Sequence, residues 1–199
     1  MIELKNVSKA FKNNQVIDDV TIKFQNGIIY CIRGKNGCGK TVLLKLIASL
    51  MTPTSGEIVF DENINEFGVI IESPIFWPDR TGFETLEYLS SFRKKITKSD
   101  IQKYLQIVGL DDVKNKKVRK YSLGMKQRLA IAQALMEEPS IILLDEPTNS
   151  LDDDGIEMLK RQLLLEKQKN KVIILVTHNI EDIESIVDEI YVLSNGKLS

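Results

Sequence analysis

Hydrophobic residues near the start of the chain alternate with polar ones. This period of two, which is typical of half-buried strands, is carried by Ile2, Leu4, Val7, Val20, Ile22 and Phe24. We therefore predict two antiparallel strands joined by a turn near residues 12–14.

Further along, the pattern changes to short, continuous apolar runs at residues 28–32, 141–144 and 172–176. Such runs suit parallel strands that are buried on both faces. Helical periods lie between them, one in Val42, Leu43, Leu46, Ile47 and Leu50, and another in Ile156, Leu159 and Leu163. Strands that alternate with helices predict an α/β fold with a mostly parallel sheet.

A helix-rich stretch over residues 81–120 interrupts this alternation, with periodic Leu86, Leu89, Phe92, Ile101, Leu105 and Val108. We interpret it as part of a helical lobe, at about residues 73–125, inserted into a single domain that spans residues 1–199. The last predicted strand covers residues 189–193, close to the end of the sequence, and we expect no regulation by an appended domain.

Charge and composition exclude several kinds of protein. The 199 residues carry 27 Lys and Arg against 28 Asp and Glu, a net charge of -1, which argues against charge-driven binding to nucleic acid. The basic run at residues 114–120 is interpreted as a solvated loop. No apolar run reaches the length of a membrane span, and no signal peptide is expected. Two cysteines and one histidine give neither a disulfide framework nor a His-rich metal site, so we expect an intracellular, reduced protein.

Residues 34–41, GKNGCGKT, match the phosphate-loop pattern and lie between an apolar strand and an apolar-periodic helix. The glycines allow backbone N–H groups to converge on an anion at the helix N-terminus. Lys40 is predicted to reach the β- and γ-phosphates, and the Thr41 hydroxyl to bind Mg²⁺. Cys38 is interpreted as a spacer in this loop, with a redox role as the alternative.

Two carboxylates, Asp145 and Glu146, end the apolar run at residues 141–144. Strand ends of this kind face the ligand crevice of an α/β sheet, and buried like charges need a cation or hydrogen bonds. We predict that Asp145 holds Mg²⁺ and that Glu146 is the general base for the attacking water. His178 follows the run at residues 172–176, and its position favours a contact with the γ-phosphate over a purely structural role.

The ordered motifs resemble an ATP-binding-cassette (ABC) ATPase over essentially the whole chain. They are NG inside the phosphate loop, YSLGMKQR at residues 121–128, DEPTNSLD at residues 145–152 and TH at residues 177–178. The YSLGMKQR segment lies where that family carries its signature motif, although Leu123 and Met125 depart from the family's commonest letters.

The resemblance implies that two cassettes enclose two ATP molecules, so that Ser122 and Gly124 of one subunit contact the γ-phosphate bound by the other. A homodimer is the simpler arrangement. Phe11 is expected to stack on adenine, with core packing as its alternative, and Asp152 to communicate between the two sites or to cap the next helix. The implied nucleotide-binding residues are therefore Phe11, Gly34, Lys35, Asn36, Gly37, Cys38, Gly39, Lys40, Thr41, Val42, Ser122, Gly124 and Asp152.

Glu72 stands where most members of the family have a glutamine that meets Mg²⁺ and the attacking water. This carboxylate and the surrounding residues resemble cassettes of the bacitracin-resistance and lantibiotic self-immunity exporters. We hypothesise that Glu72 is the metal-proximal end of a loop that links hydrolysis to a membrane partner, the alternative being a surface carboxylate at a strand end.

The resemblance favours an ATPase subunit that works with ATP and Mg²⁺ and drives a separately encoded transmembrane permease. Such a subunit is expected to be cytoplasmic and peripheral on the inner face of the cell membrane, with export as the favoured direction. Phe76 and Trp77 suggest a groove for a partner helix, or else core packing. The alternatives are a cassette on a soluble scaffold, as in iron–sulfur assembly, and a phosphotransferase, which Glu146 and His178 disfavour.

Overall fold

Six strands form the central sheet of the computed structural model, which describes residues 1–12, 14–61 and 66–199. They are β3 (Ile28–Arg33), β5 (Phe67–Ile70), β6 (Ile141–Asp145), β7 (Val172–Thr177), β8 (Glu189–Ser194) and β9 (Lys197–Leu198). The order across the sheet is β5-β6-β7-β3-β8-β9, and only the last pair is antiparallel. The predicted mostly parallel sheet is therefore confirmed.

A second, antiparallel sheet is formed by β1 (Ile2–Phe11), β2 (Asn14–Phe24) and β4 (Ser55–Phe60), in the order β2-β1-β4. The predicted turn near residues 12–14 includes Asn13, which lies outside the described residues. The alternation of β1 and β2 shifts because Asn6 and Asp19 adopt positive φ angles of 50° and 52° in two bulges. The Asn6 amide donates to the Asp19 carboxylate at 2.9 Å, so each bulge stabilises the other.

Within the described residues, five α-helices pack around the sheets: α1 (Lys40–Ile47), α2 (Gly82–Ser90), α3 (Lys98–Ile107), α4 (Leu123–Leu135) and α5 (Asp153–Gln168). Helices α2 and α3 lie in the segment predicted to be the helical lobe. Each begins with a capping box, Thr81 with Glu84 and Thr97 with Asp100, which satisfies backbone donors at both ends of the box.

The parallel sheet separates two hydrophobic clusters, as expected for strands buried on both faces. Along β6, Ile142 and Leu144 belong to the cluster shared with α2 to α5, whereas Ile141 and Leu143 belong to the cluster shared with α1 and the antiparallel sheet. A further link joins the two sheets where the Asp18 N–H of β2 donates to Gly196 between β8 and β9, at 2.8 Å.

Helix α1 ends earlier than its hydrophobic period predicts. The period included Leu50, but the helix stops at Ile47, and Leu50 is 66% exposed. Ser49 has a left-handed φ of 57°, its N–H donates to Leu46, and the N–H of Leu50 donates to Lys45. These two hydrogen bonds form a Schellman motif, which terminates the helix without the usual glycine.

Within residues 1–12, 14–61 and 66–199, none of the helices combines the length and the hydrophobicity that a membrane crossing requires.

Candidate nucleotide site

The phosphate loop connects β3 to α1 and depends on glycine at its end. Gly39 has a φ of 106°, and a Cβ there would lie 2.9 Å from Val16 Cγ1 and 3.0 Å from the Val16 carbonyl oxygen. Glycine therefore satisfies both the backbone conformation and the close approach of β2. Among the residues that the structure describes, no side chain caps α1, so the first N–H groups of this helix are left for an anion.

Lys40 is nearly buried at the start of α1, with 6% of its surface exposed. Its ammonium donates to the carbonyl oxygens of Gly34 at 2.8 Å and Lys35 at 3.3 Å. Glu146 Oε1 lies 4.0 Å from the same nitrogen. The cation is thus held between the loop backbone and the acidic end of β6.

Thr41 and Asp145 meet at the centre of the site. The Thr41 hydroxyl donates to Asp145 Oδ2 at 2.5 Å. Burial is the main cause of the raised pKa of Asp145, and the negative charge of Glu146 adds to it, whereas the hydrogen bond from Thr41 lowers the pKa. A desolvated carboxylate beside a hydroxyl provides two oxygen donors for a hard cation.

Glu146 follows β6 with a left-handed φ of 49° and joins the ends of two neighbouring strands. It accepts hydrogen bonds from the Thr177 hydroxyl and from the His178 N–H, both at 3.0 Å. The His178 Nδ1 lies 2.9 Å from Glu146 Oε2, although the histidine side chain is half exposed. The structure therefore brings together the predicted base and the predicted phosphate-sensing residue.

Glu72 lies just beyond β5 and also has a left-handed φ, 64°. Its backbone lies close enough to the Asp145 carboxyl to lower the pKa of that group. Its carboxylate accepts a hydrogen bond from the Lys45 ammonium of α1, with Oε1 2.5 Å from Nζ. Glu72 is thus attached to the Asp145 region through its backbone and to α1 through its side chain.

The signature segment opens α4. Ser122 caps the helix by accepting a hydrogen bond from the Met125 N–H at 3.1 Å. A Cβ on Gly124 would lie 2.6 Å from the Ser150 carbonyl oxygen, so the loop after β6 requires glycine at this position. The signature segment and the acidic loop are therefore in direct contact.

Asp152 caps α5 by accepting a hydrogen bond from the Gly155 N–H at 3.1 Å, and it accepts a second from Arg128 at 2.5 Å. The hydrogen bond from Arg128 is the main cause of the lowered pKa of Asp152. The residue therefore both caps α5 and connects this helix to α4, which is compatible with the two alternatives stated for it.

A cavity of about 570 Å³ connects these elements. The predicted residues that line it are Asn36, Gly37, Gly39, Lys40, Thr41, Val42, Glu72, Asp145 and Glu146. The other predicted residues lie outside its lining: Phe11, Gly34, Lys35, Cys38, Ser122, Gly124, Asp152 and His178. Among these, Phe11 is 43% exposed at the end of β1, with the Lys9 ammonium 5.3 Å from its ring centre.

Several cavity residues were not assigned a role from the sequence, among them Val16, Lys126 and Gln127. Lys126 is four residues from Ser122, so the helical period could have placed both on one face of α4. The Gln127 side chain donates to the Pro147 carbonyl at 3.0 Å. This contact and the approach of Val16 to Gly39 depend on tertiary packing, and no local pattern indicates them.

A glycine-rich loop between a strand and a helix, a Thr–Asp oxygen pair and a carboxylate at the next strand end define a phosphate-loop nucleoside triphosphatase. The family described as ABC transporter matches residues 17–149. The chain belongs to this family and is an ATP-binding, ATP-hydrolysing subunit. The resemblance drawn from the motifs is therefore confirmed.

Relatives of similar sequence include the ABC transporter ATP-binding protein YybJ of Bacillus subtilis (strain 168). It is 40% identical over 206 residues, covering 100% of this chain and 94% of YybJ. The bacitracin transport ATP-binding protein BcrA of Enterococcus faecalis is 38% identical, covering 100% of this chain and 68% of BcrA. The lantibiotic transport ATP-binding protein SrtF of Streptococcus pyogenes is 30% identical, covering 100% of this chain and 89% of SrtF.

Solved structures agree with the fold. The dimeric structure of MJ0796, a bacterial ABC transporter cassette, has a TM-score of 0.90 at 28% identity, covering 100% of this chain and 97% of that one. A dimeric post-hydrolysis state of MJ0796 bound to ADP and Pi has a TM-score of 0.91 at 27% identity, with the same coverage.

Proposed function

We propose that this chain hydrolyses Mg²⁺·ATP in the cavity beside the phosphate loop and thereby drives a separate transmembrane permease. The observation that carries the proposal is the convergence of Lys40, the Thr41–Asp145 pair and Glu146 on one cavity. In this proposal the backbone of residues 34–42 and the Lys40 ammonium bind the phosphates, and the free N–H groups at the start of α1 add to that attraction.

The residues present fit a magnesium ion. Thr41 and Asp145 offer two hard oxygen ligands that are in contact with each other. Burial raises the pKa of Asp145 and so disfavours its ionised form, which a bound cation would stabilise. Phosphate oxygens and water complete such a coordination sphere. When bound, the ion supplies charge neutralisation at the transferring phosphate. We propose that Glu72 contributes to the same site from the cavity wall.

Glu146 is proposed as the general base that orients and deprotonates the attacking water. Its two hydrogen-bond donors, Thr177 and the His178 N–H, fix the carboxylate in one orientation. The imidazole of His178 then contacts the γ-phosphate from beside the base. Glu146 lines the cavity and already lies 4.0 Å from the Lys40 ammonium, which is proposed to bind the phosphates.

We propose that the working unit is a dimer, most simply of two copies of this chain. Ser122 and Gly124 of one copy then contact the γ-phosphate bound by the other, at the N-terminus of α4. The dimeric MJ0796 structures support a dimer. In the same proposal Phe11 stacks on adenine, and Asp152 transmits changes between sites through its hydrogen bond with Arg128.

The proposed permease contact lies on the helical lobe, residues 73–125. Ile75 and Trp77 are exposed, at 94% and 46%, whereas Phe76 packs against the core. Trp77 stacks edge-on against Tyr88 of α2, with ring centres 5.0 Å apart, so an aromatic anchor is held in place for a partner helix. The groove predicted from Phe76 and Trp77 is thus proposed around Trp77.

This assignment places the chain at the cytoplasmic face of the membrane, bound through the permease, and gives it no role in binding nucleic acid. The names of BcrA and SrtF, which are bacitracin and lantibiotic transport proteins, support a peptide antibiotic or a similar amphiphile as the cargo, and we propose export as the direction. We infer that cargo selection resides in the permease, because the cavity described above is a phosphate site.

The proposal is tested by purifying a tagged Glu146→Gln variant from native cells in mild detergent, with ATP and Mg²⁺ present. We expect a multi-span membrane protein in stoichiometric amount. Recovery of a soluble scaffold, or of the cassette alone, would contradict the proposed transport function. Trp77→Ala in the same background should release the permease, while Leu165→Ala, which removes an exposed apolar side chain of α5 outside the lobe, should not.

A further inference from the structure

The ion pair between Lys45 and Glu72 has no part in the function proposed so far. Lys45 lies on α1, one helical turn after Thr41, so the two residues share a face of the helix. Thr41 holds Asp145, and Lys45 holds Glu72, with 2.5 Å between Nζ and Oε1. The residue that holds the Glu72 carboxylate is therefore one helical turn from the residue that holds Asp145, with about 5–6 Å between their Cβ atoms.

The backbone and the side chain of Glu72 are attached to different partners. Its backbone lies beside the Asp145 carboxyl, whereas its carboxylate is 63% exposed and is held by Lys45. A rotation of the side chain alone can thus move the carboxylate between Lys45 and the cavity that Glu72 lines. No rearrangement of β5 or α1 is needed.

The charges in the cavity explain why the ion pair of Glu72 with Lys45 affects nucleotide binding. Glu72, Asp145 and Glu146 all line it, and Lys40 and Lys126 are the lysines among the lining residues. Adding the phosphates of ATP increases the negative charge further. A third carboxylate at this site is favourable only when a divalent cation is present to receive it, and otherwise it repels the nucleotide.

We propose that Lys45 is a positioning residue that holds Glu72 away from the phosphates until Mg²⁺ and ATP are bound together. This inference rests on the proposed contact between Glu72 and the metal. Magnesium then competes with the Lys45 ammonium for one carboxylate, so the ion pair raises the magnesium concentration at which nucleotide binding is half-maximal.

The test measures binding of a fluorescent ATP analogue over a range of free Mg²⁺, in the Glu146→Gln background so that hydrolysis does not interfere. Lys45→Met keeps the aliphatic stem and removes the charge. We expect the half-saturating Mg²⁺ concentration to fall about two- to fivefold, the range for loss of one exposed ion pair. Lys45→Arg should restore the parental value, because the guanidinium also binds a carboxylate.

Glu72→Gln separates this inference from the proposed function. By itself it should raise the half-saturating Mg²⁺ concentration, and adding Lys45→Met should then change nothing. If Glu72→Gln alone has no effect, the metal role of Glu72 is wrong and the inference fails with it. If Glu72→Gln has its effect but Lys45→Met has none, only the role of Lys45 is wrong.

An equal shift from Lys45→Met with and without Glu72 would also overturn the inference, because Lys45 would then act on the nucleotide directly. The matched control is Lys5→Met, since Lys5 forms a comparably exposed ion pair with Glu57 at 3.1 Å on the antiparallel sheet. That variant should leave the magnesium dependence unchanged. Thermal unfolding of each variant checks that the fold is retained.

Discussion

Replacing Glu146 by glutamine tests the proposed base with the least disturbance of its surroundings. Glutamine keeps the length of the side chain and one oxygen, which can still accept a hydrogen bond from Thr177 or from the His178 N–H, each now at 3.0 Å. The loss is about one hydrogen bond, ~1 kcal/mol, so the variant should fold. It also removes the negative charge that raises the pKa of Asp145.

Turnover should fall much further than stability. Loss of a positioned general base slows a reaction by about 100- to 10,000-fold, which corresponds to ~2.7–5.4 kcal/mol of activation free energy. Binding of ATP should persist, because the Lys40 ammonium and the phosphate loop are unchanged. The variant should therefore accumulate with ATP bound and, in the proposed arrangement, as a dimer.

Phosphate release at saturating ATP measures the rate, fluorescent nucleotide titration measures the affinity, and gel filtration with ATP and Mg²⁺ measures the assembly. Turnover within tenfold of the parent would show that Glu146 is not the base. Elution as a monomer would count against the shared site. Glu157→Gln, an exposed change on α5, is the matched control and should behave like the parent.

Three other substitutions test the remaining assignments. Lys40→Met removes the ammonium held by the loop carbonyls and should weaken ATP binding about 100-fold, the effect of ~3 kcal/mol from charged hydrogen bonds, in a nucleotide titration. Asp145→Asn keeps an acceptor for Thr41 and should raise the melting temperature of the nucleotide-free protein at pH 7, because it removes a carboxylate whose charged form is disfavoured by burial, while abolishing magnesium-dependent binding. Because the folded-state pKa of Asp145 is raised, ionisation of this carboxyl lowers stability as the pH rises from the ordinary pKa of 3.8 to the raised pKa. The melting temperatures of the variant and the parent should therefore converge as the pH falls below 3.8. Phe11→Ala should weaken ATP binding about fivefold through lost stacking, yet leave inorganic triphosphate binding unchanged, and an equal loss for both ligands would refute the adenine contact.

The central sheet and the phosphate loop could be predicted from the sequence because their signals are local. Strands buried on both faces must be continuously apolar, as residues 141–144 and 172–176 are. The glycines of the loop are required by its backbone, so their spacing is visible in the sequence. The polar residues that end these strands likewise predicted which edge of the sheet faces the nucleotide.

The end of α1 could not be predicted from the sequence, and the reason lies in its backbone. Ser49 adopts the left-handed conformation usually given to glycine, and the hydrophobic period continues to Leu50 as if the helix did. Backbone hydrogen bonds to Lys45 and Leu46, rather than side-chain preference, stop the helix. Propensity alone does not contain that information.

Contacts between distant segments were the other part that sequence reasoning did not reach. Glu72 was expected near the metal, but its ion pair with Lys45 joins residues 27 positions apart and depends on how β5 lies against α1. Val16 borders the nucleotide cavity only because β2 packs on Gly39. Neither pairing leaves a periodic or spacing signal in the chain.

The register between β6 and β7 sets how much length variation the site can accept. Asp145 pairs with Val176, so Glu146 and Thr177 leave the sheet at the same level and meet through one hydrogen bond. Removing a single residue from either strand would turn every later side chain of that strand to the opposite face and separate the base from its donor. We therefore expect insertions and deletions to be tolerated in the helical lobe, between α2 and α3, and to inactivate the protein anywhere within these two strands.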